Sequence, residues 1–454
     1  MAKVKKAKIA IEDILLPIDE HPYEIPQNWC WVKHNGVLDI SGGSQPAKSY
    51  FISEPTEGYI KLYQTRDYGD NPVPVYIPEK YATKTTLEGD ILLARYGGSL
   101  GKVFRAHEGA YNVALAKVIK LYPDLIDDEY LYKYYFTQFY QDFCVKASKG
   151  RSAQAGFNRD DMNNIPFPLP PLAEQRRIVE QIESLFTKLD EVKEKALSVV
   201  ESFESRKIAI LNNAFNGLYS TDWREKHHCT LDDWKDRKIN EICIPRAGFA
   251  FNSKKFTESG IQIIRMGNLY AGKLNLSRSP VFYDISDVDD NIIKRSMVHD
   301  GDILLTLTGT KYKRDYGYAV CIEGEHELLV NQRILCLSPT EKIDKEYLLY
   351  YLRSEIFRDV FFSNETGGVN QGNVSSKFVE NIEIKLPSIE EQKEISKILK
   401  NILTKEEQAK ELAEFVIEQI ELMKKSILAK AFRGELGTNI ATEESAIELL
   451  KSIL

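Results

Sequence analysis

The feature that most constrains this chain is an internal duplication. Leu169-Pro-Pro-Leu-Ala-Glu-Gln175 opens one long, charged, leucine-bearing stretch, and Leu386-Pro-Ser-Ile-Glu-Glu-Gln392 opens a second. The two motifs lie 386 minus 169, or 217, residues apart, and the same offset relates Gly217 to Gly434 at the far ends of the stretches. Solenoid repeats have periods of roughly 20 to 50 residues. An offset this long therefore indicates two copies of a unit made of a domain and a helix.

The composition is that of a globular protein without a membrane segment. Of the 454 residues, 43% are hydrophobic and 28% are charged, and no run approaches the roughly 20 apolar residues of a membrane span. The first residues are basic but lack the apolar stretch of a signal peptide. We therefore expect a cytoplasmic protein with no membrane partner.

The cysteine pattern argues against two further classes of protein, whereas the net charge excludes none. The six cysteines are scattered without a C-x-x-C pair, and His227-His228-Cys229 has no second ligand pair, so we expect neither a disulfide framework nor a metal site. The net charge of −7 argues against nucleic acid only on average, because a DNA-binding protein needs a local basic surface rather than a basic whole. The function therefore depends on local clusters.

Both long stretches carry a heptad pattern of apolar residues, spaced alternately by four and three positions, which predicts a coiled-coil seam. The predicted seam residues are Ile178, Ile182, Leu185, Leu189, Val192 and Phe203 in the first copy and Ile395, Leu399, Ile402, Val416 and Ile420 in the second. Glu406 interrupts the second seam at the position of Leu189 in the first. A polar seam residue of this kind costs stability but can fix the register of the pairing.

The seams predict that the two helices pack on each other. A helix from Ala173 to Gly217 has about 44 residues and, at roughly 1.5 Å per residue, a length of about 66 Å. An apolar seam of that length needs a partner, which could be the helix's own module, another chain or the second helix. Two copies in one chain favour the last, as an antiparallel pair with pseudo-twofold symmetry and one module at each end. The length of such a pair would set the distance between the two modules.

The modules that precede the helices are predicted to be α+β. In the first, β-type runs at Tyr59–Tyr63, 90–93 and 116–121 precede a helix over 128–145; in the second, the runs 262–265, 302–305 and 333–337 precede a helix over 345–361. Gly89 matches Gly301 at the shorter offset of 212, so one module carries an insertion. The predicted organisation is an N-terminal tail (1–20), a first module (21–170), a first helix (171–225), a second module (226–386), a second helix (387–436) and a C-terminal tail (437–454).

Polar and basic side chains collect in the loops of both modules, where a rigid scaffold normally presents recognition groups. Arg, Asn and Gln read base edges with paired hydrogen bonds, whereas Lys mostly contacts phosphate. Surface loops are polar in any protein, so for a single residue the simpler explanation is solvation. The candidate DNA-binding residues are Gln45, Lys48, Gln64, Arg66, Arg95, Lys102, Arg105, Asn112, Arg151, Gln154 and Asn158, with Asn252, Lys254, Arg265, Asn268, Lys311, Lys313, Arg314, Asn331, Gln332, Asn370 and Gln371.

Within this set, Gln154 and Gln371 are the strongest pair. Both follow glycine, at Gly150 and at Gly367-Gly368, and the position and the amide persist although the neighbouring residues change. Glycine allows the backbone to approach a ligand closely, and the amide can then read it.

No catalytic constellation is found in the sequence. Gly97-Gly-Ser-Leu-Gly101-Lys102 is one residue short of a phosphate-binding loop and is interpreted as a turn between strands. The chain has no Asn-Pro-Pro-aromatic tetrapeptide of the amino-methyltransferase kind, and Pro123-Asp124 is not completed as a nuclease motif. Without a nucleophile, a base and an orienting group at suitable spacing, we expect a non-catalytic chain.

A variable module that ends in Pro-Leu-Pro-Pro-Leu-Ala-Glu-Gln and continues into a heptad helix, all repeated once, resembles the specificity subunit of a type I DNA restriction-modification system. The resemblance covers nearly the whole chain. It implies two target-recognition domains that each read half of a bipartite sequence in double-stranded DNA. It also implies two methyltransferase subunits, which bring S-adenosylmethionine, and two restriction/translocase subunits, which bring ATP and Mg²⁺. This chain would bind none of those cofactors.

Two alternatives stay open at the level of sequence. The chain could be a specificity subunit that serves a fused methyltransferase-nuclease, or a two-headed coiled-coil scaffold that does not bind DNA. If it reads DNA, the two half-sites should differ, because Arg95 corresponds to Leu307 and the loop Lys311–Arg314 has only a loose counterpart. The terminal tails are short amphipathic stretches that could pack locally, on each other or on partners.

Overall fold

The computed structural model of the protein describes residues 10–149, 156–163, 165–286, 288–368 and 370–454. The chain forms two compact units. Unit 1 combines the chain up to Ala196 with Phe415–Leu454, and unit 2 is Leu197–Glu414. Each unit therefore contains one module together with parts of both long helical stretches, a division that crosses the linear domain boundaries drawn from the sequence.

The first copy of the duplicated segment consists mainly of short strands followed by helices. Its elements are α1 (Ile11–Ile14), β1 (Cys30–Lys33), α2 (His34–Val37), β2 (Leu38–Gly42), β3 (Tyr59–Tyr63), β4 (Tyr76–Pro78), β5 (Thr85–Thr86), β6 (Ile91–Ala94), β7 (Val103–Arg105), β8 (Gly109–Tyr111), β9 (Leu115–Lys120), α3 (Asp128–Tyr134), α4 (Gln138–Lys149), β10 (Pro166–Leu169) and α5 (Leu172–Glu201).

The rest of the chain repeats this order after a helical linker. Its elements are α6 (Phe203–Phe215), α7 (Thr221–His227), β11 (Lys235–Lys238), α8 (Ile239–Ile242), β12 (Cys243–Ala247), β13 (Phe256–Thr257), β14 (Ile261–Ile264), β15 (Phe282–Tyr283), α9 (Asp290–Ser296), β16 (Ile303–Thr306), β17 (Thr308–Gly309), β18 (Ala319–Cys321), β19 (Leu328–Val330), β20 (Ile334–Pro339), α10 (Lys345–Arg353), α11 (Glu355–Ser363), β21 (Gly372–Asn373), α12 (Ser376–Glu380), β22 (Glu383–Leu386), α13 (Ile389–Ala431) and α14 (Ala446–Ile453).

The sheets confirm that the two modules are copies of one α+β fold. An antiparallel sheet has the strand order β2-β9-β6-β7 in unit 1 and β12-β20-β16-β18 in unit 2. A second sheet contains a parallel pair in each unit, β3 with β8 and β14 with β19. A two-stranded ribbon, β1 with β10 or β11 with β22, leads into each long helix. The predicted strands are confirmed to within about two residues, the usual uncertainty of element boundaries.

The single helix predicted after each sheet is wrong in both modules, because each stretch forms two helices. In unit 2, α10 ends at Arg353 and α11 begins at Glu355, since the Ser354 hydroxyl accepts a hydrogen bond from Phe357 N at 3.2 Å and caps the new helix. In unit 1 the Thr137 hydroxyl accepts from Tyr140 N at 3.4 Å between α3 and α4. Hydroxyl side chains at these positions favour helix starts over helix interiors.

The long helices pair antiparallel within each unit. In unit 1, Lys193 forms an ion pair with Glu421 and Lys424 forms one with Asp190, so residue numbers on α13 fall as those on α5 rise. The beginning of α5 also packs on its own module, because Ile178 and Ile182 share one hydrophobic cluster with strand residues and with Leu428 of α13. The apolar face of α5 therefore packs both on its own module and on α13.

Unit 2 shows what the interrupted seam does. Glu406 accepts a hydrogen bond from Nε of Arg206 at 2.7 Å, and both side chains are partly buried. The 217-residue offset equates Glu406 with Leu189 and Arg206 with Met423, so an apolar pair of positions in one copy corresponds to an ion pair in the other. The polar seam residue thus has a specific partner, which can fix the register of this part of the pair.

The first long helix is not continuous, contrary to the sequence prediction. It is interrupted at Ser202, between α5 and α6, whereas α13 runs unbroken from Ile389 to Ala431. The Ser202 hydroxyl bonds back to Ser198 O at 2.5 Å, and Nη2 of Arg206 donates to Val199 O at 3.2 Å. Side-chain bonds to helix carbonyls of this kind compete with the backbone ladder and bend helices.

Ten of the eleven predicted seam residues are buried or half-buried, and Val192 is the exception, with 47% of its surface exposed. Val192 therefore lies outside the buried seam, although Asp190 and Lys193 beside it form ion pairs with α13. An ideal helix has 3.6 residues per turn and drifts from a strict heptad by about 20° per repeat.

The Glu-Gln pair of each duplicated motif is buried and holds the helix to its module. Gln175 accepts from Asp127 N at 2.8 Å and donates to Leu125 O and Pro170 O at 3.0 Å. Gln392 repeats the arrangement in unit 2 on Asp344 N, Pro387 O and Lys342 O. Since Asp127 and Asp344 cap α3 and α10, the motif is structural.

The described part of the N-terminal tail, from residue 10 onward, and the C-terminal tail both pack locally in unit 1. Ile14 of α1 and Leu450 of α14 belong to the main hydrophobic cluster of that unit, and Asn28 O accepts a hydrogen bond from Ala446 N at 2.9 Å. Among the helices that the structure describes, none is long and apolar enough to cross a membrane. Across the same residues, no three His, Cys, Asp or Glu side chains cluster as metal ligands.

Candidate nucleic-acid interface

The loops that carry most of the predicted recognition residues of unit 1 meet where several strands end. Ser44 N donates to Tyr111 O at 3.1 Å, Asn112 N to Tyr63 O at 3.0 Å, Arg95 N to Ala114 O at 2.8 Å and Phe157 N to Arg95 O at 3.2 Å. These bonds tie together four loops and the segment after residue 155. We call this surface edge 1, and it consists of residues 43–45, 64–66, 95–96, 112–114 and 156–158.

Unit 2 has the same arrangement of backbone bonds. Phe249 N donates to Val330 O at 2.9 Å, Asn331 N to Ile264 O at 3.0 Å, Leu307 N to Arg333 O at 2.9 Å and Val374 N to Leu307 O at 2.9 Å. We call this surface edge 2, and it consists of residues 248–252, 265–268, 307–309, 331–333 and 370–374. Two edges with one backbone plan and different side chains are what two recognition sites of different specificity require.

Each edge depends on a glycine that lets two loops cross. A Cβ on Gly43 would lie 2.1 Å from Asn112 O, and a Cβ on Gly248 would lie 2.1 Å from Asn331 O. No side chain can occupy either position without separating the loops. The sequence signal of this crossing is a matched glycine, Gly43 directly before Ser44 and Gly248 directly before Phe249.

Gly43→Ala is expected to destabilise unit 1 by about 1–3 kcal/mol, the usual cost of forcing extra atoms into a packed site. Gly248→Ala should have the same effect in unit 2. Hydrogen exchange measures this directly, as faster exchange of the Asn112 or Asn331 amide. Gly98→Ala is the matched control, because among the described residues no atom beyond its chain neighbours lies within 4 Å of the added methyl group. Unchanged exchange in Gly43→Ala would contradict the crossing.

The most equivalent candidate side chains on the two edges are Gln64 and Arg265. Each directly follows the parallel strand of its unit and begins a 3-10 turn. The backbone N–H of Gln64 donates to Asp67 Oδ2 at 2.7 Å, and that of Arg265 donates to Asn268 Oδ1 at 2.9 Å. Nε2 of Gln64 and Nε of Arg265 are buried and have no hydrogen-bond partner among the described residues. The two modules thus place an amide and a guanidinium at the same point.

Several predicted residues shape an edge more than they present a free group. Asn268 is buried, and its Nδ2 donates to Asn275 O and Arg278 O at 2.9 Å. Asn112 Oδ1 accepts from Ala114 N at 3.2 Å, and Asn331 Oδ1 accepts from Arg333 N at 3.4 Å. Nη2 of Arg95 donates to Val113 O at 2.8 Å, and its guanidinium lies over the Tyr96 ring.

Other candidates lie on or beside the edges and are exposed or half-exposed to solvent. They are Gln45, Lys48, Arg66, Lys102 and Asn158 in unit 1 and Asn252, Lys254, Lys311, Lys313, Gln332, Asn370 and Gln371 in unit 2. Lys102 is next to edge 1, since its carbonyl accepts from Ala94 N at 2.9 Å. Arg151 and Gln154, the latter one of the strongest candidates, lie outside the described residues.

Arg105 and Arg314 are engaged inside their units. Arg105 pairs with Ile91, at the end of β6 away from edge 1, and its guanidinium forms an ion pair with Glu129 of α3. Arg314 lies between Glu355 at 2.8 Å and Asp359 at 2.9 Å. The structure therefore places both in packing contacts between a strand or loop and a helix. The sequence showed the two cations but could not show their carboxylate partners.

Comparisons with known proteins agree with this duplicated plan. A family model described as type I restriction modification DNA specificity domain matches residues 26–202 and again 231–415. The type I restriction enzyme MjaVIII specificity subunit of Methanocaldococcus jannaschii is 24% identical over 424 residues, which cover 92% of this chain and 95% of that protein.

Solved structures share the fold. The HsdS subunit from Thermoanaerobacter tengcongensis has a TM-score of 0.62 at 20% identity and covers 92% of this chain and 100% of that one. A chain from a structure of the type I R-M system, solved for its complex assembly and conformational transition, has a TM-score of 0.65 at 20% identity and covers 91% and 100%.

Proposed function

The chain belongs to the type I restriction modification DNA specificity family, and on that premise we propose that edges 1 and 2 each read one half of a bipartite DNA target. It is a specificity subunit with two target-recognition domains. The observation that carries the proposal is the repetition of one hydrogen-bonded backbone plan on both edges while the side chains differ. A shared scaffold with different reading groups recognises two different half-sites.

The experiment that tests this proposal uses the complete complex in cells. The chain is co-expressed with its methyltransferase subunit, and modified bases in host DNA are mapped by long-read sequencing. We expect a split motif with a fixed gap. A continuous motif, or no modification by a stable complex, would contradict the two-edge reading. Phosphate contacts make the affinity for DNA fall steeply as the salt concentration rises. If the complex shows no such salt-dependent binding to DNA, the alternative of a scaffold that does not act on DNA is favoured.

We further propose that Gln64 and Arg265 are base-reading residues. Glutamine matches the N6 and N7 positions of adenine, and arginine matches O6 and N7 of guanine. Nε2 of Gln64 and Nε of Arg265 have no hydrogen-bond partner among the described residues, so each is a donor that a base could engage, and Nη2 of Arg265 donates to Ser279 O at 2.7 Å. An adenine is therefore expected in one half-site and a guanine at the equivalent point of the other.

Gln64→Ala is expected to relax one base position in the half-site read by unit 1, with a loss of about 1–3 kcal/mol of discrimination. Arg265→Ala should do the same in the other half-site, and Gln64→Arg should move the preference from adenine towards guanine. Methylation motifs of the variants measure this directly. Lys254→Ala is the control, because removing a phosphate contact weakens binding at every sequence alike. If both alanine variants keep the original methylation motif, Gln64 and Arg265 do not read bases.

The partners follow from the same proposal. A specificity subunit acts with methyltransferase subunits and with restriction/translocase subunits, and we propose two of each. S-adenosylmethionine would be bound by the methyltransferase, and ATP and Mg²⁺ by the restriction/translocase subunits. The absence of a catalytic motif in the sequence supports a division of labour in which this chain supplies recognition and assembly. The protein would act in the cytoplasm, and its target would be double-stranded DNA.

A further inference from the structure

A loop in unit 2 has no equivalent of the same length in unit 1. The connection from β16 to β18 spans residues 307–318, whereas the connection from β6 to β7 spans only 95–102. The additional residues account for most of the difference between the two sequence offsets. We call residues 310–317 the Tyr312 loop. It begins at β17, where Thr308 pairs with Asn373 and Gly309 with Gly372, so it projects directly from edge 2.

Tyr312 stands at the tip of this loop in an unfavourable backbone conformation. Its φ angle is +66°, in the left-handed region that tyrosine rarely adopts, and its side chain is 80% exposed. The described contact of the ring is with the ammonium group of Lys311, 5.0 Å from the ring centroid. An exposed ring adds little to the core, so folding does not explain why a strained position carries an aromatic residue.

The backbone of the loop is held firmly although the ring is free. The Glu365 carboxylate accepts a hydrogen bond from Tyr312 N at 3.2 Å and from the Tyr316 hydroxyl at 2.8 Å. Nζ of Lys311 donates to Gly367 O at 2.9 Å, and Arg314 is fixed by the two carboxylates of α11. A loop that is fixed on both sides of an exposed ring presents that ring in a set position.

We propose that the Tyr312 ring packs against bases or sugars of the DNA half-site read by unit 2. Lys313 is exposed beside the ring and would meet a phosphate, whereas the ammonium group of Lys311 donates to Gly367 O and adds positive charge next to the ring. The lysines favour DNA over a partner protein, because the tip combines a stacking surface with positive charge. This inference rests on the proposed function and adds a contact that does not read base edges.

Unit 1 should make no such contact. The equivalent short connection has Gly97–Ser99 at its tip, and its aromatic residue, Tyr96, precedes the tip and lies against the Arg95 guanidinium. The two half-sites would therefore be bound with unequal strength. Aromatic residues that contact bases without hydrogen bonding tolerate sequence changes, since every base has a stacking face. The Tyr312 contact is thus expected to add affinity to half-site 2 and little specificity.

The test compares Tyr312→Gly, Tyr312→Trp and the unaltered chain, each assembled with its methyltransferase subunits. Glycine removes the ring and the backbone strain together, so this variant should fold at least as well as the original. We expect roughly a 10- to 100-fold loss of affinity for target duplex in Tyr312→Gly, the range found for loss of one stacked base. Tyr312→Trp keeps an aromatic ring at this position and should bind the target duplex with an affinity close to that of the unaltered chain. Ile244→Ala, an exposed apolar residue of unit 2 outside the loop, is the matched control.

A photo-crosslinking benzoylphenylalanine at position 312 identifies what the ring contacts, and a crosslink to DNA is expected. Three results would each overturn the inference. They are an affinity of Tyr312→Gly equal to that of the unaltered chain, a loss of affinity in Tyr312→Trp as large as in Tyr312→Gly, and a crosslink to a methyltransferase subunit. If the unaltered complex shows no salt-dependent binding to DNA, the proposed function itself has failed. That result is distinct, because the Tyr312 variants are judged only against a complex that binds.

Discussion

Arg224→Met is expected to destabilise unit 2 by about 3–5 kcal/mol, the usual cost of leaving one member of a buried ion pair without its partner. Nη1 of Arg224 lies 2.9 Å from Glu391 Oε1, and the two side chains are only 8% and 3% exposed. Arg224 also donates to Gly217 O at 2.7 Å, and Trp234 Nε1 donates to the other carboxylate oxygen at 3.1 Å. The pair therefore ties the linker after α6 to the start of α13.

The duplicated position in unit 1 provides the matched control. Glu174 is also buried, but its carboxylate accepts from Trp29 Nε1 at 2.7 Å and Asn439 Nδ2 at 2.8 Å instead of from an arginine. Burial raises the pKa of Glu174 above its usual value, so replacing its carboxylate with a neutral amide forfeits less stabilisation than in a fully paired carboxylate. Glu174→Gln should therefore cost about 1 kcal/mol or less, whereas Glu391→Gln, which leaves Arg224 unpaired, should cost about 1.5–3 kcal/mol.

Hydrogen exchange resolved along the chain measures these effects, because a chain of two compact units does not give one unfolding free energy. In Arg224→Met, β22 and the start of α13 should lose protection while β10 and the start of α5 keep theirs. Equal losses in the two units, or equal costs of Glu174→Gln and Glu391→Gln, would show that the ion pair does not set the stability of unit 2.

Lengthening both paired helices by one heptad is expected to widen the gap between the half-sites by about three base pairs. Seven residues add roughly 10 Å at about 1.5 Å per residue, and B-DNA rises about 3.4 Å per base pair. The insertions belong between Ala196 and Leu197 and between Glu414 and Phe415, where the chain passes from one unit to the other, so the contacts inside each unit are kept. Methylation mapping of the altered complex reads the new gap.

Two further variants control this experiment. A heptad inserted in only one helix shifts the antiparallel partners out of register, so methylation at a fixed gap should be lost. Three heptads in both helices add roughly 31 Å, close to one turn of B-DNA at about 34 Å, and should preserve the face of the duplex that is read. Both half-site sequences should stay the same in the lengthened complexes. An unchanged gap would show that the length of the helices does not set the number of base pairs between the half-sites.

Local patterns predicted the elements of this fold well. The buried runs at β6 and β16 and the heptad residues Ile182 and Leu399 were evident from periodicity alone, because each depends on side chains a few positions apart. The breaks at Thr137, Ser202 and Ser354 were not predicted. A hydroxyl side chain ends or bends a helix only when its bonds to the backbone outweigh continued helix formation, and residue type alone does not decide that balance.

The candidate interface shows the same limit. Sequence placed polar residues in loops, but Arg105 and Arg314 proved to be paired with Glu129 and Glu355, residues 24 and 41 positions away. Tyr312 is absent from the candidate residues because that set consists of side chains that hydrogen-bond to bases or phosphates. Its backbone angle, exposure and supporting contacts are visible only in the folded loop.

The duplication, the α+β character of the modules and the seams were evident from the residues alone, because they follow from repeated order and short-range periodicity, whereas the family was suggested by the resemblance of the duplicated motifs. How the copies are combined is visible only in the folded chain: each unit takes one module and parts of both helices, and strand ends far apart in sequence meet at an edge. The physical reason is that ion pairs such as Arg224–Glu391 and loop crossings such as Gly43 over Asn112 depend on distances in space that residue spacing does not encode.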